Sequence, residues 1–223
     1  MPRLACRFTL AAALVALGGC GAIQVAPQAH LPRALVQPVN ARIGLVLDEE
    51  LRHFRHEETR ASSSWQVELG PGHEQWLKSV FDSAFSSVSV FRNRDEARAA
   101  SGLQGLFEPQ IEQYSFATAR ETSGSYWAVT IRYRIAVLSP QGEPADSLTL
   151  TGYGSAPGTG RAGPSLAAAT QAAMRDAAAK ILVQMPRQPV AKRLAAGETL
   201  RAGEGATVVD PIETVPIEPP SAG

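Results

Sequence analysis

Residues 126–138, YWAVTIRYRIAVL, decide the fold class of this chain. Apolar side chains stand at every second position from Trp127 to Val137, and Thr130, Arg132 and Arg134 stand between them. Alternation with a period of two is typical of a β-strand that buries one face. The stretch therefore predicts a long strand whose second, polar face meets water or a partner.

A turn, a second strand and a helix follow this stretch. Residues 139–142, SPQG, favour a turn, and residues 147–156, SLTLTGYGSA, predict the antiparallel neighbour of the first strand. After a glycine-rich loop, we expect Ser165 to cap a helix that runs to about Met185. The alanine-rich apolar face of this helix indicates close packing against the sheet.

Upstream of residue 126, apolar residues recur with the period of a strand in some segments and with the period of a helix in others. The expected elements are a strand at 41–48, a polar loop with at most one helical turn at 49–64, a strand at 65–69, a helix at 73–87, a strand at 87–91, a short helix at 94–100, and a strand at 103–117 interrupted near Pro109. Together they predict one α+β domain over 41–186, with a mainly antiparallel sheet packed by two main helices at about 73–87 and 165–185. Residues 187–223 are rich in Pro and Gly and predict a disordered tail.

The composition is that of a globular protein. Of 223 residues, 44% are hydrophobic and 19% are charged, and Lys+Arg and Asp+Glu both total 21. This balance excludes global disorder and gives no support for a nucleic-acid partner. It leaves the oligomeric state open.

The first 19 residues have the pattern of a secretory signal peptide. Arg3 and Arg7 precede the apolar run 8–17, and small residues follow it. Ten apolar residues span only about 15 Å as a helix, about half of a bilayer's hydrocarbon core, so a transmembrane helix is disfavoured. Removal of this leader also removes Cys6 and leaves Cys20 as the single cysteine, so no intramolecular disulfide can form.

Residues 17–20, LGGC, resemble the lipobox of bacterial lipoproteins. The resemblance implies cleavage between Gly19 and Cys20 and attachment of lipid chains to Cys20, which would hold the protein permanently at a membrane. Gly21 stands where an Asp would retain such a protein at the inner membrane, so the resemblance implies the outer membrane, with the domain on its periplasmic face or, less often, at the cell exterior. Residues 20–40 then predict an extended linker that could reach about 60 Å.

The sequence offers no convincing catalytic or metal site. Residues 158–163, GTGRAG, match G-x-G-x-x-G, but no acidic residue lies about twenty positions further on, so a flexible turn is the better interpretation. His53 and His56 with their neighbouring glutamates resemble a metal pair, but no third ligand follows at a suitable distance. We therefore expect no catalytic residue, no metal and no cofactor, and a protein that is not an enzyme.

Three side chains are candidate partner contacts. Arg132 and Arg134 share the polar face of the strand at 126–138, and Tyr126 begins that strand. A solvated face is the alternative for the arginines, and core packing is favoured for Trp127 and Tyr133.

The order of elements between Ala41 and Met185 resembles that of small outer-membrane lipoproteins, namely the YajG-like group and the LptE-like lipoproteins of LPS assembly. The resemblance rests on LGGC, IGLVLD at 43–48, residues 126–142 and AMRDAAAKIL at 173–182. It implies a non-enzymatic accessory or assembly factor of a cell-envelope machine. Such a factor would bind an envelope protein through a sheet edge or polar sheet face, with 126–138 as the candidate. The alternative is a module that binds a lipid or glycan between the 73–87 helix and the sheet.

Overall fold

The computed structural model describes residues 22–27, 36–60 and 62–203. The predicted signal peptide, the cleavage site at Gly19 and Cys20, and the lipidation of Cys20 lie outside the described residues. The strands are β1 (Ile23–Val25), β2 (Val39–Val46), β3 (Arg55–Arg60), β4 (Ser63–Glu68), β5 (Phe85–Phe91), β6 (Gly105–Ala117), β7 (Tyr126–Leu138) and β8 (Pro144–Pro157). The helices are α1 (Glu49–Arg52), α2 (Gly70–Ala84), α3 (Arg94–Ala99), α4 (Ala162–Gln184) and α5 (Pro189–Ala195), with a 3-10 turn at Met185–Arg187.

The strands form two sheets. The larger sheet has the order β5-β2-β6-β7-β8, in which β2 is parallel to both of its neighbours and β6, β7 and β8 are antiparallel. The smaller sheet has the order β1-β4-β3. The predicted α+β class with two main helices is therefore confirmed, and β7 has the predicted bounds.

Helices α2 and α4 cover one face of the larger sheet, which we call the inner face. α4 packs along β7 and β8, and α2 packs along β5 and contacts α4. Between α2 and the sheet, Phe81, Phe85 and Phe107 pack together with ring centroids 5.1 to 6.0 Å apart. The opposite face of the sheet is the outer face.

Two glycines of β8 allow α4 to approach closely. A Cβ atom on Gly154 would lie 2.1 Å from the carbonyl oxygen of Ala169, and one on Gly152 would lie 2.3 Å from that of Ala173. Only a residue without a side chain fits at such distances, and the facing residues of α4 are small for the same reason. None of the described helices is long and apolar enough to cross a membrane.

Both main helices begin earlier than predicted. α2 begins at Gly70 because Pro71 occupies its first turn, where the missing N–H costs no hydrogen bond. The predicted capping role of Ser165 is wrong, since α4 begins at Ala162 and Ser165 lies buried in its first turn.

The predicted interruption of β6 near Pro109 is also wrong. Pro109 lies opposite Ile135 within a continuous strand. The register with β2 ends at Phe107, so the missing N–H of Pro109 breaks no ladder on that side. The irregularity lies instead at Glu112, where the register with β7 shifts between Ile111 and Gln113.

Three segments predicted as loop, linker or tail contain regular structure. Residues 55–60 of the predicted polar loop form β3, which pairs with β4 although it carries no large apolar side chain. Residues 23–25 of the predicted extended linker form β1, in which Ile23 pairs with Trp65. In the predicted disordered tail, α5 contributes to the core and Leu200 is buried, so order continues beyond residue 187.

Candidate functional site

The outer face of β6, β7 and β8 is polar. Side chains line up across the three strands in rows: Gln110, Arg134 and Thr149; Gln113, Arg132 and Thr151; Ser115, Thr130 and Tyr153. The side chains of Arg132 and Arg134 are each 53% exposed. The structure thus places both predicted contact residues in solvent on one surface.

A bulge brings an acid between the two arginines. Glu112 occupies the irregular position of β6, and its carboxylate lies 3.1 Å from Arg132 Nε and 4.0 Å from Arg134 Nη1. Arg134 Nε also donates a hydrogen bond to Ser147 Oγ at 3.2 Å. One carboxylate between two guanidinium groups leaves this patch with an excess positive charge.

A groove of about 370 Å³ adjoins this patch. It runs beside the first half of β8 and reaches the last turns of α4 and the 3-10 turn. Its apolar lining is Ile135, Leu148, Leu150, Ile181 and Met185, and its polar lining is Glu112, Arg132, Arg134, Ser147, Thr149, Gln184 and Gln188. Successive residues of β8 contribute side chains from both faces, so the groove follows the edge of the sheet.

Part of this edge is closed by α4. Lys180 Nζ donates to the carbonyl oxygen of Thr151 at 2.7 Å, and the N–H of Tyr153 donates to Asp176 Oδ2 at 2.8 Å. Lys180 and Asp176 also pair with each other at 2.7 Å. Charged side chains placed on an edge in this way prevent further strand pairing.

The edge beside the groove is different. In an antiparallel strand, the backbone N–H and C=O groups of successive residues point alternately toward the partner strand and away from it. The backbone groups of Thr151 and Tyr153 point away from β7. Those of Ser147 and Thr149, an even number of residues earlier, therefore point away from β7 as well. The N–H of Ser147 donates to Asp146 Oδ1 at 2.7 Å, which leaves the backbone of Thr149 as the centre of the open segment.

Tyr126 does not belong to this site. Its side chain is 47% exposed, but it lies opposite Pro157 at the far end of β7. Six residues separate it from Arg132, a distance of about 20 Å along a strand. The sequence also missed Glu112, Gln184 and Gln188, since the bulge and the end of α4 carry no local signal for a shared groove.

The histidines and glycines considered in the sequence take structural roles. His53 Nδ1 lies 3.0 Å from the carbonyl oxygen of Glu49, and His56 Nε2 lies 3.1 Å from Glu58. Among the described residues, no three His, Cys, Asp or Glu side chains gather as metal ligands. The glycines of 158–163 form the bend between β8 and α4 and the start of α4.

A buried polar pair joins α2 to β7. His73 Nδ1 lies 2.8 Å from the carbonyl oxygen of Leu69, and its Nε2 lies 2.7 Å from the hydroxyl of Tyr133. A carbonyl only accepts, so Nδ1 carries the proton and Nε2 accepts from the tyrosine. Burial lowers the pKa of His73 to about 4 and raises the pKa of Tyr133 well above its usual value. Both side chains are inaccessible, so this pair stabilises the core.

The comparisons with known proteins identify the fold. No protein-family model matches the chain, and no curated protein sequence matches it. Protein XCC0632 from Xanthomonas campestris, of the family DUF330, has a similar structure with a TM-score of 0.52 at 11% identity, over 78% of this chain and 99% of that chain. A putative neuraminyllactose-binding hemagglutinin homolog from Helicobacter pylori gives a TM-score of 0.39 at 10% identity, over 75% and 95%. The first similarity shows that this α+β fold occurs in another bacterial protein.

Proposed function

We propose that this protein is a lipid-anchored accessory or assembly factor of a cell-envelope machine, of the YajG-like or LptE-like kind. In this proposal residues 1–19 are a cleaved leader, Cys20 carries the lipid, and the domain faces the periplasm from the outer membrane. It acts by protein contacts and performs no chemistry. The sequence LGGC at 17–20 supports the anchor.

The polar outer face of β6 to β8, with its adjoining groove, is the observation that carries the proposed protein contact. Arg132 and Arg134 project from it, and an arginine-rich polar surface beside an apolar groove is suited to binding another protein. β7 lies between β6 and β8, so it offers its face and not an edge. The available edge in this region belongs to β8.

The position of β1 implies a short tether. Ile23 pairs with Trp65 only three residues after Cys20, which is at most about 10 Å of extended chain. A lipid on Cys20 would therefore hold the smaller sheet close to the membrane surface. The domain would then contact its proposed partner near the membrane surface.

The packing directly beneath α2 argues against the alternative of a lipid or glycan site between this helix and the sheet. Trp76, Phe81 and Phe85 are almost completely buried and fill the interval beneath α2. We therefore prefer the proposal of a protein partner.

Affinity purification from gently solubilised membranes tests the proposed contact. We expect the wild-type chain to recover a stoichiometric envelope protein. The double variant Arg132→Glu/Arg134→Glu should recover at least about tenfold less, because a surface charge pattern that selects a partner would be reversed. Arg120→Glu/Arg175→Glu, which reverses two exposed arginines elsewhere, is the matched control. Equal recovery by both double variants, or a lone monomer from wild type, would contradict the proposal.

The anchor has its own test. Mass spectrometry of the purified protein should show a lipid-modified amino terminus at Cys20. Cys20→Ser should leave the membrane fraction, because the acyl chains supply most of the membrane affinity. An unmodified amino terminus in the wild-type protein would refute the anchor.

A further inference from the structure

The edge of the larger sheet that lies opposite β8 belongs to β5. The carbonyl oxygen of Phe91 accepts from the N–H of Leu47 at 2.9 Å, so the backbone groups of Phe91 point toward β2. Backbone groups of successive strand residues point to alternate sides, so those of Ser86, Val88 and Val90 point away from β2. In the described part of the chain no strand pairs with that side of β5, and these backbone groups have no hydrogen-bond partner.

The open segment has defined ends. On one side the N–H of Arg92 donates to Glu96 Oε2 at 3.0 Å, and on the other the N–H of Phe85 completes helix α2 by donating to Phe81. Between these ends, residues 86–90, SSVSV, contain no charged side chain and no proline, which are two common means of protecting an exposed edge. β3, at an edge of the smaller sheet, carries charged side chains along its length.

We propose that β5 pairs with β5 of a second copy of this chain, antiparallel and about a two-fold axis at Val88, so that the two larger sheets become one continuous sheet. This goes beyond the proposed function, because it depends on neither the anchor nor the envelope partner. β8 lies at the opposite edge of the sheet, so the outer face of β6 to β8 and its groove stay free for that partner.

The register follows from the open backbone groups. With the axis at Val88, this residue lies opposite its counterpart and Ser86 lies opposite Val90 of the second copy. Each of these pairs then exchanges two N–H···O=C bonds, so every outward group of the segment is satisfied. Moving the axis to Ser87 or to Ser89 would leave one residue of each copy without such an exchange. The segment is therefore complementary to itself about its own centre.

The inner side of the segment carries an apolar strip that is only partly covered. Val88 and Val90 lie beside Ile43 and Leu45 of β2, Val88 packs against the core, and Val90 is 40% exposed. A pocket of about 280 Å³, lined in part by Val90 and Leu47, opens between this strip and the first half of α2. Pairing places the valines of the two copies side by side and removes this apolar surface from water.

The charges beyond the two ends of the segment favour a second copy over an unrelated strand. Arg92 follows the segment and forms no ion pair with any described residue, and Asp82 is exposed in the last turn of α2, just before β5. A two-fold axis at Val88 brings Arg92 of each copy beside the last turn of the other copy's α2. Opposite charges therefore meet at both ends of the paired segment.

Disulfide cross-linking in the full chain tests the position of the axis. Val88→Cys should form a covalent dimer at least about tenfold faster than Val90→Cys. The Cα atoms of a hydrogen-bonded pair lie about 5.5 Å apart, within disulfide range, whereas residue 90 would lie about 13 Å along the strand from its counterpart.

Val90→Cys is a stringent control, because Val90 is the more exposed of the two side chains and random collision would cross-link it at least as fast. The wild-type chain, which contains Cys6 and Cys20, gives the background. Equal rates for the two variants would overturn the proposal. A product in which Val88→Cys is joined to a different protein would also overturn it.

A charge exchange across the axis gives an independent test. Ser87 and Ser89 are exposed, and each would lie opposite the other residue of the second copy. Ser87→Asp/Ser89→Asp therefore opposes like charges twice, whereas Ser87→Asp/Ser89→Lys opposes unlike charges twice. We expect the first pair of substitutions to slow cross-linking of Val88→Cys at least about tenfold, and the second to leave it within about threefold.

Sedimentation velocity of the same chains without Val88→Cys should agree. The wild-type chain and Ser87→Asp/Ser89→Lys should form a dimer that increases with protein concentration, and Ser87→Asp/Ser89→Asp should remain a monomer. Both serines are exposed, so all three chains should unfold at similar temperatures. The same oligomeric state in both double variants would refute pairing about this axis.

Discussion

At the scale of single residues, His73 shows how a titratable side chain becomes part of a core. It lies in the first turns of α2 and contacts Tyr133 of β7. The ring of Trp76 lies edge-on to His73 and tilted against Tyr133, with ring centroids 5.3 and 5.5 Å apart. Because the side chain is completely buried, the imidazolium form would lose its hydration, and the Tyr133 hydroxyl would have to turn to accept a hydrogen bond from Nε2. The side chain therefore couples folding to pH.

We predict that stability falls as the pH decreases below 6.5. The unfolded chain binds a proton at His73 near pH 6.5, whereas the folded chain resists it down to a pKa of about 4. The contribution of His73 to the free energy of unfolding is therefore fully present above pH 6.5. As the pH falls below 6.5, this free energy decreases by about 1.4 kcal/mol per pH unit until the pKa of the folded state is reached. Urea unfolding between pH 7 and 5 measures this slope, above the range in which carboxylates titrate.

The control is His73→Asn, which cannot titrate and retains an N–H for the carbonyl of Leu69. Its stability should be lower than that of the wild type at pH 7 but nearly constant between pH 7 and 5. A slope as steep as that of the wild type would show that other groups cause the pH dependence.

At the scale of elements, the contact between β8 and α4 depends on the absence of side chains. We predict that Gly154→Ala destabilises the protein by about 2 kcal/mol or more, because the new Cβ would overlap the backbone of α4 and force the helix away. Thermal or urea unfolding measures the change. Ser155→Ala, an exposed neighbour on the same strand, should change stability by less than about 0.5 kcal/mol. Equal effects would mean that the helix adjusts freely.

The edges of the larger sheet also differ at this scale. On β8, Asp176 and Lys180 close the half near Tyr153, whereas the half near Thr149 adjoins the groove. One strand thus combines a segment whose edge is closed by charged side chains with a segment whose edge adjoins the groove.

At the scale of the whole molecule, the smaller sheet sets the distance between the proposed anchor and the domain. We predict that an insertion of about fifteen Gly/Ser residues between Gly21 and Ala22 moves the domain about 20 Å further from a supported bilayer, the mean span of such a linker. Neutron reflectometry measures the gap. The same insertion between Gly203 and Glu204 should leave the distance unchanged. If the first insertion does not change the gap, the tether is not what holds the domain at the surface.

Local sequence was sufficient where an element's own side chains decide its structure. The strand at 126–138 was predicted with its correct bounds, since six alternating apolar residues pack on one inner face. The polar strand β3 could not be predicted, because it is held by pairing with β4 and by contacts such as His56 against Tyr114, with ring centroids 5.0 Å apart. These contacts join residues far apart in the chain.

The sequence by itself determined the α+β class, the two main helices and the polar face that carries Arg132 and Arg134. Only the tertiary structure decided that β7 is an inner strand, that Glu112 stands between the arginines, and that Gly203 meets Pro144 beside the groove. The reason is physical: periodicity records which side of an element is buried, whereas edges, bulges and grooves arise from which distant elements pack beside it.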